Sequence, residues 1–282
     1  SCSDDEQDTG TKQPTTAGEV TFGVDLTGFS TRVTQDGSSW NDGDKIGTYV
    51  LDMKSLELVT EAANVPYVCS EEGASVSFTS TTPLKVQNDG TPVKFVAYYP
   101  YNADVRNFNY PVQLAAQERG STACDLLYAA TKEEYTYSPE NEPHISLNFT
   151  HRLAKVILKF VNMEKEPLEV SDVRIEGMQT AASFNIQTDV LTVDESSVAT
   201  INPYHNATTG FYEAIILPSA LTDSYKVSFV LDDREKEWIF TNLDIALPQF
   251  HKGYSYTFAL YIDDSGFVEM GRLENVEGGN SS

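Results

Sequence analysis

Residues able to ligate a metal, move protons or act as nucleophiles are sparse in this chain and do not gather. The histidines are His144, His151, His205 and His251, with no HxH or HxxxH spacing to aim two imidazoles at one ion, so no zinc site is expected. The cysteines are Cys2, Cys69 and Cys124, none of them in a CxxC pair. Cys69 and Cys124 permit one disulfide, which an exported location would allow, and they fit two buried small apolar side chains at least as well. The sequence contains no GxSxG nucleophile elbow and no glycine-rich phosphate loop.

Asn41-Asp42-Gly43-Asp44 has the look of a calcium loop, but it lacks carboxylates at alternate positions and a distal glutamate. A turn held by Asx hydrogen bonds is the better reading. Asp232-Asp233 and Asp263-Asp264 fall where hairpin tips are expected, as solvated turn residues with a weak surface calcium site as the alternative. His151, in Phe149-Thr150-His151-Arg152, reads as a structural hydrogen-bonding group. The rings of Tyr98, Tyr99, Tyr101, Phe108 and Tyr110 invite sugar stacking. Strand alternation turns Tyr99 inward beside Phe95 and Tyr98 the other way, and core packing accounts for most of the cluster. No enzymatic activity, cofactor or metal is expected.

With no chemistry of its own to point to, the chain is read through its charge and its elements. Its 282 residues hold 42 acidic and 19 basic side chains, a formal net charge of −23. Such a surface repels phosphate backbones and anionic headgroups, so neither nucleic acid nor direct electrostatic membrane binding is expected. No run approaches the ~20 apolar residues of a membrane helix. Ser1-Cys2-Ser3-Asp4-Asp5-Glu6 resembles a lipoprotein N-terminus, with Cys2 as the lipidated residue. Residues 1–18 then serve as an acidic, Thr/Gly/Pro-rich tether, and the lipid is the only membrane contact.

Period-two alternation dominates the chain beyond the tether. Val20, Phe22, Val24 and Leu26 share one face, as do Val93, Phe95, Ala97 and Tyr99. The pattern returns at Ala154, Val156, Leu158 and Phe160 against Lys155 and Lys159, and again over residues 225–231 and 254–262. Shorter strands are expected at 46–51, 75–79, 145–149, 173–176, 212–217 and 238–240. Asp36-Gly37, Asp42-Gly43, Asp89-Gly90 and Ser265-Gly266 supply hairpin turns. Only Val112–Gln117 and a few short stretches offer a helical turn or two. Many short strands without βαβ alternation predict an all-β chain of tandem sandwiches. The polar, proline-bracketed stretch 137–144 suggests a boundary, with an N-terminal domain over 19–142 and a C-terminal one over 143–282.

Several stretches, taken in order, resemble the Bacteroidetes fimbrillin family, the Mfa-like type V pilus subunits and their lipoprotein relatives. They are Thr31-Arg32-Val33-Thr34 with Trp40-Asn41-Asp42-Gly43-Asp44-Lys45-Ile46-Gly47-Thr48-Tyr49, then Val93 to Tyr101. Gln117 with Asp125-Leu126-Leu127-Tyr128-Ala129 comes next, then Leu147 to Val156, and last Gly253-Tyr254-Ser255-Tyr256-Thr257-Phe258. The resemblance implies two transthyretin-like (Ig-like, Greek-key) β-sandwich domains with little helix, exported as a lipoprotein and displayed on the outer membrane. In polymerising members a trypsin-like protease cuts after an N-terminal arginine and releases the first strand, and a strand from another pilus subunit fills the groove. Arg32, the first arginine, lies just beyond the strand carrying Val20, Phe22, Val24 and Leu26, which makes it the expected processing site. The same residues also fit a permanent first strand followed by an ordinary loop arginine.

The C-terminal stretch departs from the family pattern. Phe267, Val268, Met270, Leu273 and Val276 are irregularly spaced and interrupted by Gly271, which argues against efficient strand donation. A tip or accessory subunit fits, and so does a non-polymerising surface lipoprotein that binds a glycan or a host protein.

Overall fold

A computed structural model describes residues 18–27 and 39–278. Cys2, Arg32 and the Asp36-Gly37 turn lie outside the described residues. Apart from a 3₁₀ turn at Thr122–Cys124, the named elements are strands. Among the described residues no helix is long and apolar enough to cross a membrane.

The strands are β1 (Thr21–Thr27), β2 (Lys45–Asp52), β3 (Val65–Cys69), β4 (Ser75–Thr79), β5 (Val93–Tyr99), β6 (Asn109–Gln113) and β7 (Leu127–Ala130). Next come β8 (His144–His151), β9 (Ala154–Asn162), β10 (Ser171–Glu176), β11 (Ala181–Asn185), β12 (Val190–Val193), β13 (Tyr204–His205) and β14 (Tyr212–Ile216). The last six are β15 (Ser219–Ala220), β16 (Lys226–Leu231), β17 (Arg234–Ile239), β18 (Gln249–Phe250), β19 (Tyr254–Ile262) and β20 (Val268–Gly278).

The chain forms two compact units, each discontinuous in sequence. One takes the described residues up to Leu26, then Ser39–Asp104 and Tyr128–Phe149. The other takes Val105–Leu127 and the residues from Thr150 onward. The proline-bracketed stretch 137–144 therefore lies inside the first unit, and β6 belongs to the second.

In the first unit seven strands close a hydrogen-bonded ring in the order β1-β4-β3-β2-β5-β7-β8. A ring has no free edges, unlike an open two-sheet sandwich. The alternation of β4 is clean, with Val76 and Phe78 inward and its Ser and Thr residues exposed. In β2 and β5 it breaks down, because residues on both faces are buried. Tyr98 is fully buried, its hydroxyl donating to Asn64 Oδ1 at 2.6 Å, and burial pushes its pKa up to about 12. Trp40 packs edge-on against Phe78, Tyr99 and Phe149, and of the aromatic cluster Tyr98 and Tyr110 are buried while Tyr99, Tyr101 and Phe108 are half-buried.

The second unit packs a five-stranded sheet, β13-β14-β9-β19-β20, against a three-stranded one, β10-β16-β17. β9 and β19 run parallel at the centre of the larger sheet, and both are apolar along most of their length. Phe160, Phe229, Trp238, Phe240 and Phe258 lie in the core they enclose. A third sheet has the order β12-β11-β6. Residues 112–113, expected at the start of a helical turn, instead end β6, because Tyr110 and Val112 alternate inward and pair with β11.

The irregular C-terminal stretch is a continuous strand, β20. It pairs with β19 along its length, and two register shifts absorb the irregular spacing of its apolar residues. Gly271 is no interruption but the floor beneath Trp238: a Cβ there would lie 2.0 Å from the indole. The outer margin of β20 is clipped near its middle, where Asp244 N–H donates to Gly271 O at 3.2 Å and Arg272 Nε to Asp244 at 3.0 Å.

Candidate functional site

β1 occupies a slot between β4 and β8. Its register on β4 pairs Phe22 with Phe78 and Val24 with Val76, so both strands send their apolar residues to the same side. The slot holds it from both flanks and both ends. Thr21 N–H donates to Pro143 O at 3.1 Å, and Thr21 Oγ1 meets His144 Nδ1 at 2.7 Å, on the β8 side. Leu26 N–H donates to Ala74 O at 3.2 Å, and the Ser75 hydroxyl donates to Asp25, on the β4 side.

The entrance is pinned as well. Val86 N–H donates to Gly18 O at 2.8 Å, and Val20 N–H to Leu84 O at 2.9 Å. Gly18 has φ +80, and a Cβ there would sit 2.4 Å from Val86 O, so only glycine suits that position. The fully buried Tyr67 hydroxyl donates to Val20 O at 2.7 Å and accepts from Leu84 N–H at 2.9 Å. Burial pushes the pKa of that phenol well above its ordinary value, so it remains a donor at any physiological pH. The Phe22 ring stands edge-on to Tyr67 at 4.8 Å and to Phe95 at 5.9 Å.

Of the four side chains expected to fill the slot, Val20, Phe22 and Val24 are buried at 1, 0 and 2% exposure, while Leu26, at the far end, is only half-buried. At ~1.5–3 kcal/mol per buried apolar side chain, the first three contribute roughly 5–9 kcal/mol. Arg32, six residues beyond Leu26, lies outside the described residues.

The polar motif residues of the second unit hold structure together. Gln117, 1% exposed, donates to Leu114 O and Ile215 O and accepts from Ile215 N–H at 2.8 Å. His151 Nδ1 lies 2.8 Å from the buried Asp125 carboxylate, the structural role read for it from the sequence. Arg152 clasps Asp189 with two nitrogens, at 2.8 and 3.1 Å. Lys155, expected on a solvent face, is instead buried and 3.3 Å from Glu213, which also accepts from Asn206. Cys69 and Cys124 are free thiols; Cys69 Sγ donates to Asn41 O at 3.0 Å. Among the described residues no three His, Cys, Asp or Glu side chains converge as metal ligands.

The family described as Fimbrillin-like matches residues 31–278 of this chain. The chain belongs to that family. Among solved structures, a candidate cell adhesion protein from Bacteroides uniformis superposes with a TM-score of 0.72 at 22% identity, covering 95% of this chain and 98% of that one. A second, from Bacteroides ovatus, gives 0.70 at 14%, covering 95% and 100%. A fimbrial assembly protein from Parabacteroides distasonis gives 0.55 at 11%, covering 93% and 100%. At these identities the likeness speaks for fold. Among curated proteins none matches.

The slot of this fimbrillin-like chain is built largely from residues that carried no functional signal in the sequence. Tyr67 follows Pro66 in β3, where the proline masks the strand, and Leu84 sits in a loop. Ser75 was legible only as a strand start, and His144 only as the end of the proline-bracketed stretch 137–144. Gly18 was the one available signal, a glycine at the border between polar tether and apolar alternation.

Proposed function

We propose that this fimbrillin-like protein is a cell-surface adhesin or pilus subunit assembled by protease-triggered strand exchange. The observation that carries the reading is β1 itself: a short segment near the N-terminus completes an otherwise open ring, held by two flanking strands and three buried side chains. Cutting after Arg32 frees it from the rest of the chain. Its departure leaves β4 and β8 with unpaired backbone groups around an apolar groove, an edge that is avid for a replacement strand. Backbone hydrogen bonds supply the hold, and the pockets of Val20, Phe22 and Val24 set the register.

The other steps of assembly depend on that one. Lipidation of Cys2 anchors the subunit to the outer membrane beforehand, a trypsin-like protease does the cutting, and other pilus subunits are the partners.

The test is limited digestion with an arginine-specific protease, followed by sizing in mild denaturant. Loss of residues 18–27 and appearance of denaturant-resistant oligomers are expected, both abolished by Arg32→Ala. A cleanly cut protein that stays monomeric and keeps β1 would overturn the proposal.

A further inference from the structure

The second unit carries a cleft of about 740 Å³ whose chemistry the strand-exchange reading does not use. Three separate segments wall it: the loop between β9 and β10, the β13–β14 hairpin and the β16–β17 turn. Each is fixed. Asp232 and Asp233 form a two-residue turn with φ 51 and 61, closed by the Leu231–Arg234 pair. Asn206 Oδ1 accepts from Thr208 and Thr209 N–H and pins the second hairpin. The Tyr212 hydroxyl donates to Val170 O at 3.1 Å and ties that hairpin to the first loop.

The lining has two characters. Leu168, Val170, Val230 and the Tyr212 ring, which stacks with His205 at 4.2 Å and 4°, provide flat and apolar surface. Glu169, Asp232 and Asp233 provide carboxylates, all exposed and in no ion pair among the described residues. No lysine or arginine lines the cleft. An anionic ligand would therefore meet repulsion from the carboxylates of two of the three walls. A guanidinium answers both characters: its plane lies on flat aromatic surface, its fork matches a carboxylate in two hydrogen bonds, and its stem packs on apolar walls. We propose that this cleft is a docking site for an arginine side chain carried by a segment of another protein. The site does not depend on β1 or on cleavage at Arg32.

The test is titration calorimetry of the uncut protein with acetyl-Gly-Arg-Gly-amide, with the citrulline peptide as neutral isostere. The arginine peptide is expected to bind and the citrulline peptide to bind about tenfold more weakly or not at all. The double variant Asp232→Asn, Asp233→Asn, whose asparagines suit the same turn, should lose about tenfold. Glu133→Gln, Glu134→Gln removes equal charge from the first unit and should change nothing. Equal binding of both peptides, equal losses in both variants, or displacement by a neutral monosaccharide would overturn the assignment.

Discussion

Phe22→Ala tests whether burial is what retains the first strand. Phe22 is fully enclosed, and its ring meets Tyr67 and Phe95 edge-on at 4.8 and 5.9 Å. Truncating a buried phenylalanine costs ~3–5 kcal/mol, and two aromatic contacts place this one toward the upper end. The loss falls on the step in which β1 lifts out, because the ring bridges the strand to the rest of its core. With two compact units, a single global unfolding curve would blur the effect. Hydrogen exchange read by mass spectrometry on peptides covering residues 18–27 and 75–79 isolates it. At one decade per ~1.4 kcal/mol, exchange there should quicken by about a hundredfold to several thousandfold. Val190→Ala, on the half-exposed edge strand β12, should leave these peptides unchanged. If the Phe22→Ala peptides exchange within about tenfold of the parent, the strand is not held by its apolar face, and the slot argument fails.

Four further outcomes are expected. Tyr67→Phe keeps the ring but strips Val20 O and Leu84 N–H of a partner, so residues 18–22 should open more easily by about 1–3 kcal/mol in the same exchange experiment. Gly271→Ala drives a methyl into the Trp238 indole and should cost ~1–3 kcal/mol or more, seen as an earlier denaturant transition in tryptophan fluorescence. Gln117→Ala leaves the buried Ile215 N–H unpaired and should lower the melting temperature of the second unit by calorimetry, for a cost of ~1–3 kcal/mol. The Asp263 carboxylate sits at about 2, below its ordinary 3.8, chiefly because the Ser265 hydroxyl and then Phe267 N–H donate to it. A lowered folded value means that the turn is fully supported above about pH 4 and loses that support as pH falls through about 2. The Phe267 amide resonance should move over that window, and a flat profile would contradict the assignment.

Strands with one wet face were legible. β1, β4 and the first half of β8 alternate as pattern alone predicts, and Val20, Phe22 and Val24 point inward together. Strands with two dry faces, such as β5, were found by alternation, but the alternation there did not say what was buried: Tyr98, read as facing the other way, is fully buried, while Tyr99, read as inward, is half-buried. β3 was hidden by Pro66, tolerated because β4 pairs only with Val68 and Cys69. β17 was found only at its end, since Arg234-Glu235-Lys236-Glu237 looks like a solvated turn until it is paired with β16. Lys155 was misplaced because its burial depends on Glu213, fifty-eight residues on in the chain. The slot was legible in its filling and illegible in its walls. Filling is a local pattern, whereas the Tyr67, Leu84 and His144 contacts exist only once distant strands meet.

The clip at Gly271 bears on how these molecules tolerate crowding. Where Asp244 lies along the last strand, no foreign backbone can zip onto the sheet, and beyond it the strand carries Glu274, paired with Lys159 at 2.8 Å, and Glu277. Two identical molecules meeting there would each have to dislodge the other's Asp244–Arg272 pair before a ladder could grow. Concentrated protein should therefore stay dispersed at low salt and lose part of that protection as screening rises.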